Sequence, residues 1–385
     1  MLAPAQSQIL EAPPYRPHIL PVPETFRLVT GRLQSAPSLH EAFLNQKFFA
    51  NLDVLRGVAI LAVVFHHSGP VGNPWLTVLQ GNCRYGVSLF FALSGFLICS
   101  LLLREEQRNG QVSLTDFYIR RSLRLFPLYY GMLLIYCVLV FGLGMFSPEN
   151  QVIFKERLPY NALYLSNFLP VTGPFFFAWS LAVEEQFYLV FGQLFRWARR
   201  SWLIGSIVLL VVAKPLMNLA GVLALDQTWV DIVFSYSEPL LLGVLGGFVL
   251  NHRRGFVVGM ATASPRVLAG LTLALVLMLA TIPLHNKSGL DTQVMYILMA
   301  LIVMGCAIRP KIPLPGQSML AHIGVVCYGI YLTHMLVIMV VQRLITDNPY
   351  LTFLLSAAGV TVLASVIYRY FESPILQYKK HFSHA

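Results

Sequence analysis

The chain has 385 residues, of which 56% are hydrophobic and only 11% are charged. Because a soluble globular domain carries about 25% charged residues, this composition excludes a soluble enzyme and indicates a polytopic membrane protein. The net charge of +10 would suit a nucleic-acid partner, but Lys and Arg in cytoplasmic loops explain it better, and we expect no nucleic acid. The five cysteines form no CxxC pair, so they predict neither a disulfide framework nor a zinc site.

Residues 1–45 differ in composition from the rest of the chain. They hold many prolines and no continuous apolar run, so they cannot span a membrane. They also lack the charged start, apolar centre and cleavage site of a secretory signal. We predict a disordered, proline-rich cytoplasmic tail that contains at most one short helix before the membrane domain.

From residue 52 onward the sequence contains about ten apolar segments, each close to the ~20 residues that a bilayer core requires. Their approximate limits are 52–70, 85–103, 124–144, 176–195, 202–222, 233–250, 266–283, 292–308, 320–342 and 351–370. Lys and Arg fall mainly in alternate links between them, which predicts that both termini are cytoplasmic. The expected fold is an all-α polytopic transmembrane helical bundle over residues 46–376, followed by a short basic cytoplasmic tail over 377–385.

The first segment carries ionisable residues at both ends of an apolar run, LDVLRGVAILAVVFHHSG. Arg56 and His67 are eleven residues apart, or about three helical turns, so they share one face of a helix roughly 16 Å apart along its axis. His66 points away from that face. Since ionisable groups are costly in hydrocarbon, the pair of Arg56 and His67 predicts a functional site.

The second segment ends in FFALSGFLICS, where Ser94 precedes a glycine. No GxSxG elbow surrounds this serine, so a nucleophilic role is disfavoured. A small Ser-Gly pair in a membrane helix is typical of close helix packing, and lining of a substrate site is the other interpretation.

The third segment begins with FYIRRSLRLFPLYY and carries two arginines three residues apart. Arg121 and Arg124 therefore lie on one helical face at the cytoplasmic mouth of the bundle. Guanidinium groups bind phosphate through paired hydrogen bonds, which predicts an anion-binding role. The alternative is that both arginines only set the topology.

The fourth segment contains two adjacent carboxylates in WSLAVEEQFYL. Ser180, Glu184 and Tyr188 recur every four residues and form one polar stripe on a helix. Glu185 faces elsewhere. Carboxylates inside an apolar run need partners or water, so a structural ion pair with a neighbouring helix competes with a functional role, especially for Glu185.

Later segments carry scattered polar residues. Lys214 precedes a proline that predicts a kink, and its side chain is expected to reach a partner or the membrane interface. Glu238 either lines a polar cavity or caps a helix. In YGIYLTHM, His334 lies one turn beyond Tyr331, and a single histidine near a helix end is usually interfacial, so we rank His334 below His67.

Taken together, six motifs resemble the integral-membrane acyltransferase-3 family and occur in that family's order. They are LRGVAILAVVFHH, FFALSGFLI, RRSLRLFPLYY, WSLAVEEQFYL, YGIYLTHM and YFESPIL, which cover residues 52 to about 376. The resemblance implies an O-acyltransferase of the bacterial cytoplasmic (inner) membrane. Such an enzyme moves an acyl group, commonly acetyl, from cytoplasmic acyl-CoA to a hydroxyl, usually on a cell-envelope carbohydrate.

The resemblance also assigns roles to individual residues. The family's motif residues fall on Arg56, His67, Arg121, Arg124, Trp179, Ser180 and Glu184. Together with the polar residues singled out above, the candidates are catalytic His67 and Glu184; donor-binding Arg56, Arg121 and Arg124; and substrate-binding Ser94, Trp179, Ser180, Tyr188, Glu238 and Tyr331, with no metal. His67 would be the general base, although an acyl-histidine intermediate is an alternative. Glu184 would either orient His67 or bind the acceptor.

The chain departs from the family pattern in two respects. Tyr236 and Ser237 stand where the family often has a basic residue before the acidic one. No periplasmic hydrolase-like domain follows the last segment, so we expect any second transfer step to need another protein.

Two other functions stay open at this stage. The same chemistry could acylate a small molecule or lipid, such as a macrolide or glycolipid. Alternatively, the buried ionisable residues could form the pathway of a proton-coupled transporter or flippase, although no internal repeat supports this. The expected partners are the lipid bilayer, acyl-CoA and the acceptor, and a homo-oligomer is left open.

Overall fold

The computed structural model describes residues 36–46, 48–219, 236–283, 289–309 and 316–378. In these ranges every regular element is helical and none is a strand, which confirms the all-α prediction. Seven helices in the described ranges are long and apolar enough to cross a membrane: Ala50–His67, Leu76–Asn109, Leu114–Gly142, Arg200–Met217, Leu290–Ile308, Cys327–Leu344 and Pro349–Gln377. The count of about ten spans and the cytoplasmic location of both termini stay predictions.

We number the α-helices in chain order. They are α1 (Ala36–Leu44), α2 (Ala50–His67), α3 (Pro74–Asn82), α4 (Gly86–Asn109), α5 (Leu114–Cys137), α6 (Pro148–Ala162), α7 (Trp179–Trp197), α8 (Arg200–Leu219), α9 (Ser237–Asn251), α10 (Arg253–Gly259), α11 (Pro265–Thr281), α12 (Leu290–Ile308), α13 (Gln317–Val325), α14 (Cys327–Leu344), α15 (Pro349–Ile367) and α16 (Ser373–Gln377). Five-residue π-helical turns extend α5 over Val138–Gly142 and α15 over Tyr368–Glu372.

Each of the ten predicted segments contains a helix, but four differ from a simple span. The fourth segment is α7, which is not among the seven apolar helices and carries Glu184, Glu185 and Arg196. The sixth and seventh segments are α9 and α11, which are apolar but shorter. The segment predicted at 320–342 is divided into α13 and α14, with Val326 between them.

The one short helix expected before the membrane domain is α1, whereas residues 1–35 of the predicted tail and residues 379–385 of the basic tail lie outside the described residues. Arg104 of α4 holds α1 in place. Its guanidinium donates to the carbonyls of Phe43 (2.9 Å) and Gln46 (2.8 Å) and lies 4.9 Å from the Phe43 ring centroid. Carbonyls at a helix C-terminus have no partner within the helix, so this buried arginine satisfies them.

Glycines bring α4 and α9 into backbone contact. A Cβ on Gly95 would lie 2.0 Å from the Leu240 carbonyl oxygen, and a Cβ on Gly243 would lie 2.1 Å from that of Ala92. Only glycine allows such an approach, which is the usual way membrane helices pack closely. In the Ser94–Gly95 pair, the glycine is therefore the residue at which the two helices pack closely.

The position of α2 decides where the functional residues lie. It packs against α4 on one side and against α13 and α14 on the other. Ile60, Val63 and Val64 of α2 are buried in a cluster that also includes Phe177 and Ile330. The end of α2 is thereby fixed inside the bundle.

The segment between α6 and α7 completes the wall around the end of α2. The hydroxyls of Tyr129 and Tyr130 on α5 donate to the carbonyls of Asn161 (2.8 Å) and Ala162 (2.9 Å), which holds the end of α6 against α5. Beyond that point the chain turns through a left-handed residue, Phe175, with φ of 62°. The following turn, Phe176–Ala178, leads into α7.

Candidate active site

His67 is the last residue of α2, and its ring has a defined tautomer. Its Nδ1 lies 2.9 Å from the carbonyl oxygen of Val63, one turn earlier. A carbonyl oxygen only accepts hydrogen bonds, so Nδ1 carries the proton and Nε2 keeps a lone pair. The side chain is partly accessible, and this imidazole can therefore receive a proton from a bound hydroxyl.

His66 faces a different element, as its position on the helix predicts. Its Nδ1 lies 2.9 Å from the carbonyl oxygen of Gln80 on α3.

In the described part of the chain, no group of three or more His, Cys, Asp or Glu residues could hold a metal ion.

His334 is not interfacial, in contrast to its ranking from the sequence. It lies in α14 with 0% of its surface exposed, and its ring centroid is 5.2 Å from that of His67. Phe176 is 5.8 Å from His67 on another side of that ring. The sequence signal for His334 was the YGIYLTHM motif, but only the packing of α14 against α2 shows that the two histidines meet.

Ser180 and Tyr331 come together near these histidines, although they are 151 residues apart in sequence. Their hydroxyl oxygens are 2.5 Å apart, and the Tyr331 hydroxyl donates to the Phe177 carbonyl oxygen at 2.9 Å. The Tyr331 ring lies 5.5 Å from that of His334. Two predicted substrate-binding residues therefore form a hydroxyl pair in the wall of the site.

Glu184 is bonded to groups other than His67. Its Oε1 accepts a hydrogen bond from the Ser94 hydroxyl at 2.8 Å, and its Oε2 is 3.8 Å from the guanidinium of Arg121. These contacts link α7 to α4 and α5. Among the described contacts, none joins Glu184 to His67.

Arg121 is held by two carboxylates and an aromatic ring. Its Nε donates to Glu185 at 3.0 Å, and its guanidinium carbon lies 3.0 Å from the centroid of the Tyr188 ring. This is the structural ion pair that the sequence left as the alternative for Glu185. Tyr188 is buried beneath the guanidinium, so it supports Arg121.

Arg124 is the cation with free binding capacity in this region. Its side chain is exposed, and it has no hydrogen bond or ion pair with any described residue. Arg56 and Arg121 are close enough to act electrostatically on Arg124. Arg56 itself forms an ion pair with Asp53, one turn before it on α2. The three predicted donor-binding arginines therefore form one basic cluster.

The basic cluster and His67 lie along the same two helices. Arg56 acts electrostatically on Cys327 at the start of α14, and His67 contacts His334, seven residues further along α14. The face of α2 that carries Arg56 and His67 is thus the face turned toward α14. Because α2 is one continuous helix, Arg56 and His67 are about three turns apart along it, as the sequence predicts.

Trp179 and Glu238 lie at the edge of this arrangement. The Trp179 ring is 4.6 Å from that of Tyr236 and forms part of the wall between α7 and α9. Glu238 is buried and forms an ion pair with Lys214 of α8. Its carboxylate is therefore held by Lys214, and among the described contacts none joins it to His67.

Comparison with known proteins gives a consistent match over most of the chain. The family model described as an acyltransferase domain matches residues 49–370. Proteins named O-acetyltransferase OatA from Staphylococcus aureus strains NCTC 8325 / PS 47 and COL are 24% identical over 361 residues, which cover 87% of this chain. A further protein of strain COL, provisionally named an O-acetyltransferase, is 25% identical over 362 residues, or 86% of this chain. The match spans 58% of the length of each relative. No solved structure matches the chain.

Proposed function

The chain belongs to the acyltransferase domain family, and we propose that it is a membrane O-acyltransferase that uses cytoplasmic acyl-CoA to acylate a hydroxyl of a cell-envelope carbohydrate. One observation carries this proposal. An accessible imidazole with a free Nε2 and a basic cluster with an unpaired arginine lie along the same face of α2. A donor that is anionic at one end and reactive at the other requires these two features.

The basic cluster would bind the phosphates of the donor. Arg124 has all its guanidinium N–H groups free for this role, whereas the side chains of Arg56 and Arg121 also hold carboxylates. Guanidinium groups donate pairs of hydrogen bonds to phosphate oxygens. Arg124 is therefore the main phosphate ligand, with Arg56 and Arg121 adding positive charge.

His67 would act as the general base. Its Nε2 removes the proton from the acceptor hydroxyl while the hydroxyl oxygen attacks the thioester carbonyl carbon. The C–S bond breaks as the C–O bond forms, and the departing thiolate takes the proton from His67. The hydrogen bond from Nδ1 to the Val63 carbonyl keeps the ring in the required tautomer.

Glu184 supports the site through the residues that it contacts. By accepting from Ser94 and facing Arg121, it fixes α7 relative to α4 and α5. The hydroxyls of Ser180 and Tyr331 lie near His334 and would contact the acceptor.

Acetyl is the acyl group that the relatives favour, because their names specify O-acetyl transfer. The location that fits acyl-CoA as donor is a bacterial cytoplasmic membrane, with the basic cluster facing the cytoplasm.

The test is turnover of radiolabelled acetyl-CoA by the purified protein in detergent, with cell-envelope extract as acceptor. We expect His67→Ala to lower kcat by about 100-fold or more, since general base catalysis contributes about 10²–10⁴. Expression, membrane insertion and donor affinity should not change. A His67→Ala variant with wild-type turnover would contradict the role of His67.

Supplying the extract as separate polymer, lipid and small-molecule fractions identifies the acceptor class. If the radiolabel appeared in the lipid or small-molecule fraction, the acceptor would be a glycolipid or a macrolide-like molecule and not a carbohydrate polymer. A wild-type protein that neither binds nor consumes acetyl-CoA would overturn the proposal in favour of a transporter.

A further inference from the structure

A second histidine in the site has an unused nitrogen. His334 is fully buried, and its Nδ1 lies 2.6 Å from the Tyr331 carbonyl oxygen. Since a carbonyl oxygen only accepts, Nδ1 carries the proton and Nε2 keeps a lone pair. This Nε2 is buried and has no hydrogen-bond partner in the structure.

An unpartnered buried nitrogen is unusual, because the large majority of buried side-chain polar atoms are hydrogen-bonded. The rings around His334 offer no donor to it. Phe177 lies 5.3 Å and Tyr331 5.5 Å from its centroid, and the Tyr331 hydroxyl is already donated to the Phe177 carbonyl. If His334 only filled space in the core, an apolar ring in its place would cost no activity.

The neighbour that can become a donor is His67. The two ring centroids are 5.2 Å apart with their planes at 56°, which allows a hydrogen bond once the nitrogens point at each other. In the resting state both Nε2 atoms are acceptors, so they cannot bond. After His67 takes a proton on Nε2, it has an N–H to donate.

Building on the proposed function, we propose that His334 is a positioning residue whose Nε2 accepts a hydrogen bond from His67 during acyl transfer. The acceptor O–H proton moves to Nε2 of His67 as the C–O bond forms. His334 accepts a hydrogen bond from the resulting N–H, which is shared with the acceptor oxygen and then with the sulfur, and stays neutral. When the C–S bond breaks, the same proton moves from His67 to the thiolate, and both rings return to their resting state.

This role separates binding from turnover. His334 is remote from the basic cluster along α14, so the donor should bind equally well without it. The protonated form of His67 exists only during the reaction, so an interaction with it affects kcat and not KM.

The experiment compares His334→Phe, which keeps a ring but removes the acceptor, with His334→Gln, whose amide oxygen restores one. We expect His334→Phe to lower kcat by about tenfold or more with KM for acetyl-CoA within about twofold, and His334→Gln to recover part of that loss. The matched control is His322→Phe, because His322 is exposed on α13 and bonds Ser365 at 2.9 Å, away from the site. Its kcat should equal that of the wild type.

A measurement on the wild-type protein does not depend on how the variants fold. In protein labelled with ¹⁵N-histidine, His334 should show a protonated Nδ1 and an unprotonated Nε2 in the resting state. A protonated Nε2 would overturn the role of His334, as would wild-type kcat in His334→Phe. Failure of the wild type to consume acetyl-CoA with every acceptor fraction would instead overturn the proposed function on which this role rests.

Discussion

At the scale of single residues, three arginines of similar sequence context have different contacts. Arg56 is paired with Asp53, and Arg121 is held by Glu184, Glu185 and the ring of Tyr188. Arg124, three residues from Arg121, has no hydrogen bond or ion pair with the residues that the structure describes. The sequence treats Arg121 and Arg124 as equivalent, but only Arg124 can offer its whole guanidinium to a ligand.

We expect Arg124→Gln to raise KM for acetyl-CoA about tenfold or more, because a hydrogen bond to a charged group contributes about 1.5–3 kcal/mol. Since the phosphates do not react, kcat should change by less than about twofold. Donor binding is measured by isothermal titration calorimetry in nanodiscs. Arg108→Gln, an exposed arginine near the end of α4, is the control for general loss of charge. Equal affinities for the wild type and Arg124→Gln would exclude Arg124 as a phosphate ligand.

At the scale of helices, the contact between α4 and α9 positions one side of the site. Gly95 allows the two backbones to touch, and the neighbouring Ser94 donates to Glu184 on α7. The two interpretations of the Ser-Gly pair therefore belong to different residues, with Gly95 packing helices and Ser94 bonding a site carboxylate.

We expect Gly95→Ala to destabilise the protein by about 1–3 kcal/mol, the usual cost of overpacking, because its Cβ would lie 2.0 Å from the Leu240 carbonyl oxygen. Thermal unfolding in detergent measures the change. Gly131→Ala on α5 is the matched control, since nothing lies within 4 Å of its added Cβ. That variant should be as stable as the wild type or more stable, because alanine favours a helix over glycine by about 1 kcal/mol. If both variants melted alike, the close contact would not matter for stability.

At the scale of the whole molecule, the proposed function requires a fixed orientation in the membrane. In the proposed function, Arg56 and Arg124 face the side that holds acyl-CoA. This is the side predicted to be cytoplasmic from the arginines in and around the link between α4 and α5, as in residues 104–124. Residues at the opposite end of α5, where the chain passes into α6, then face the outside. The orientation predicted from charge and the orientation required by the donor are the same.

We expect Gln111→Cys to react with a membrane-impermeant maleimide only in inside-out vesicles, and Glu149→Cys only in intact spheroplasts. Both residues are exposed, and they lie beyond opposite ends of the helical stretch Leu114–Gly142. Labelling of the wild-type protein gives the background reaction, because its five cysteines are buried or half-buried. If Gln111→Cys reacted only in spheroplasts and Glu149→Cys only in inside-out vesicles, the basic cluster would face the outside of the cell. That result would contradict acyl-CoA as the donor.

The sequence alone determined the class of protein and the main residues of one helix. Its composition required a membrane bundle, and the eleven-residue spacing of Arg56 and His67 placed them on one face because helical periodicity is a local property. Motifs in a fixed order gave the family. The same local reasoning allowed for one short helix before the membrane domain and located the helical part of every apolar segment.

The tertiary structure decided which of the polar residues meet. His334 is 267 positions from His67 in the sequence, and Tyr331 is 151 positions from Ser180, so no periodicity relates them. Likewise, only the structure shows that Glu238 pairs with Lys214. It also shows that Arg121 pairs with both carboxylates of α7, which leaves Arg124 without an ion pair among the described residues. Contacts between helices depend on packing across the bundle, whereas spacing along a helix depends only on the chain itself.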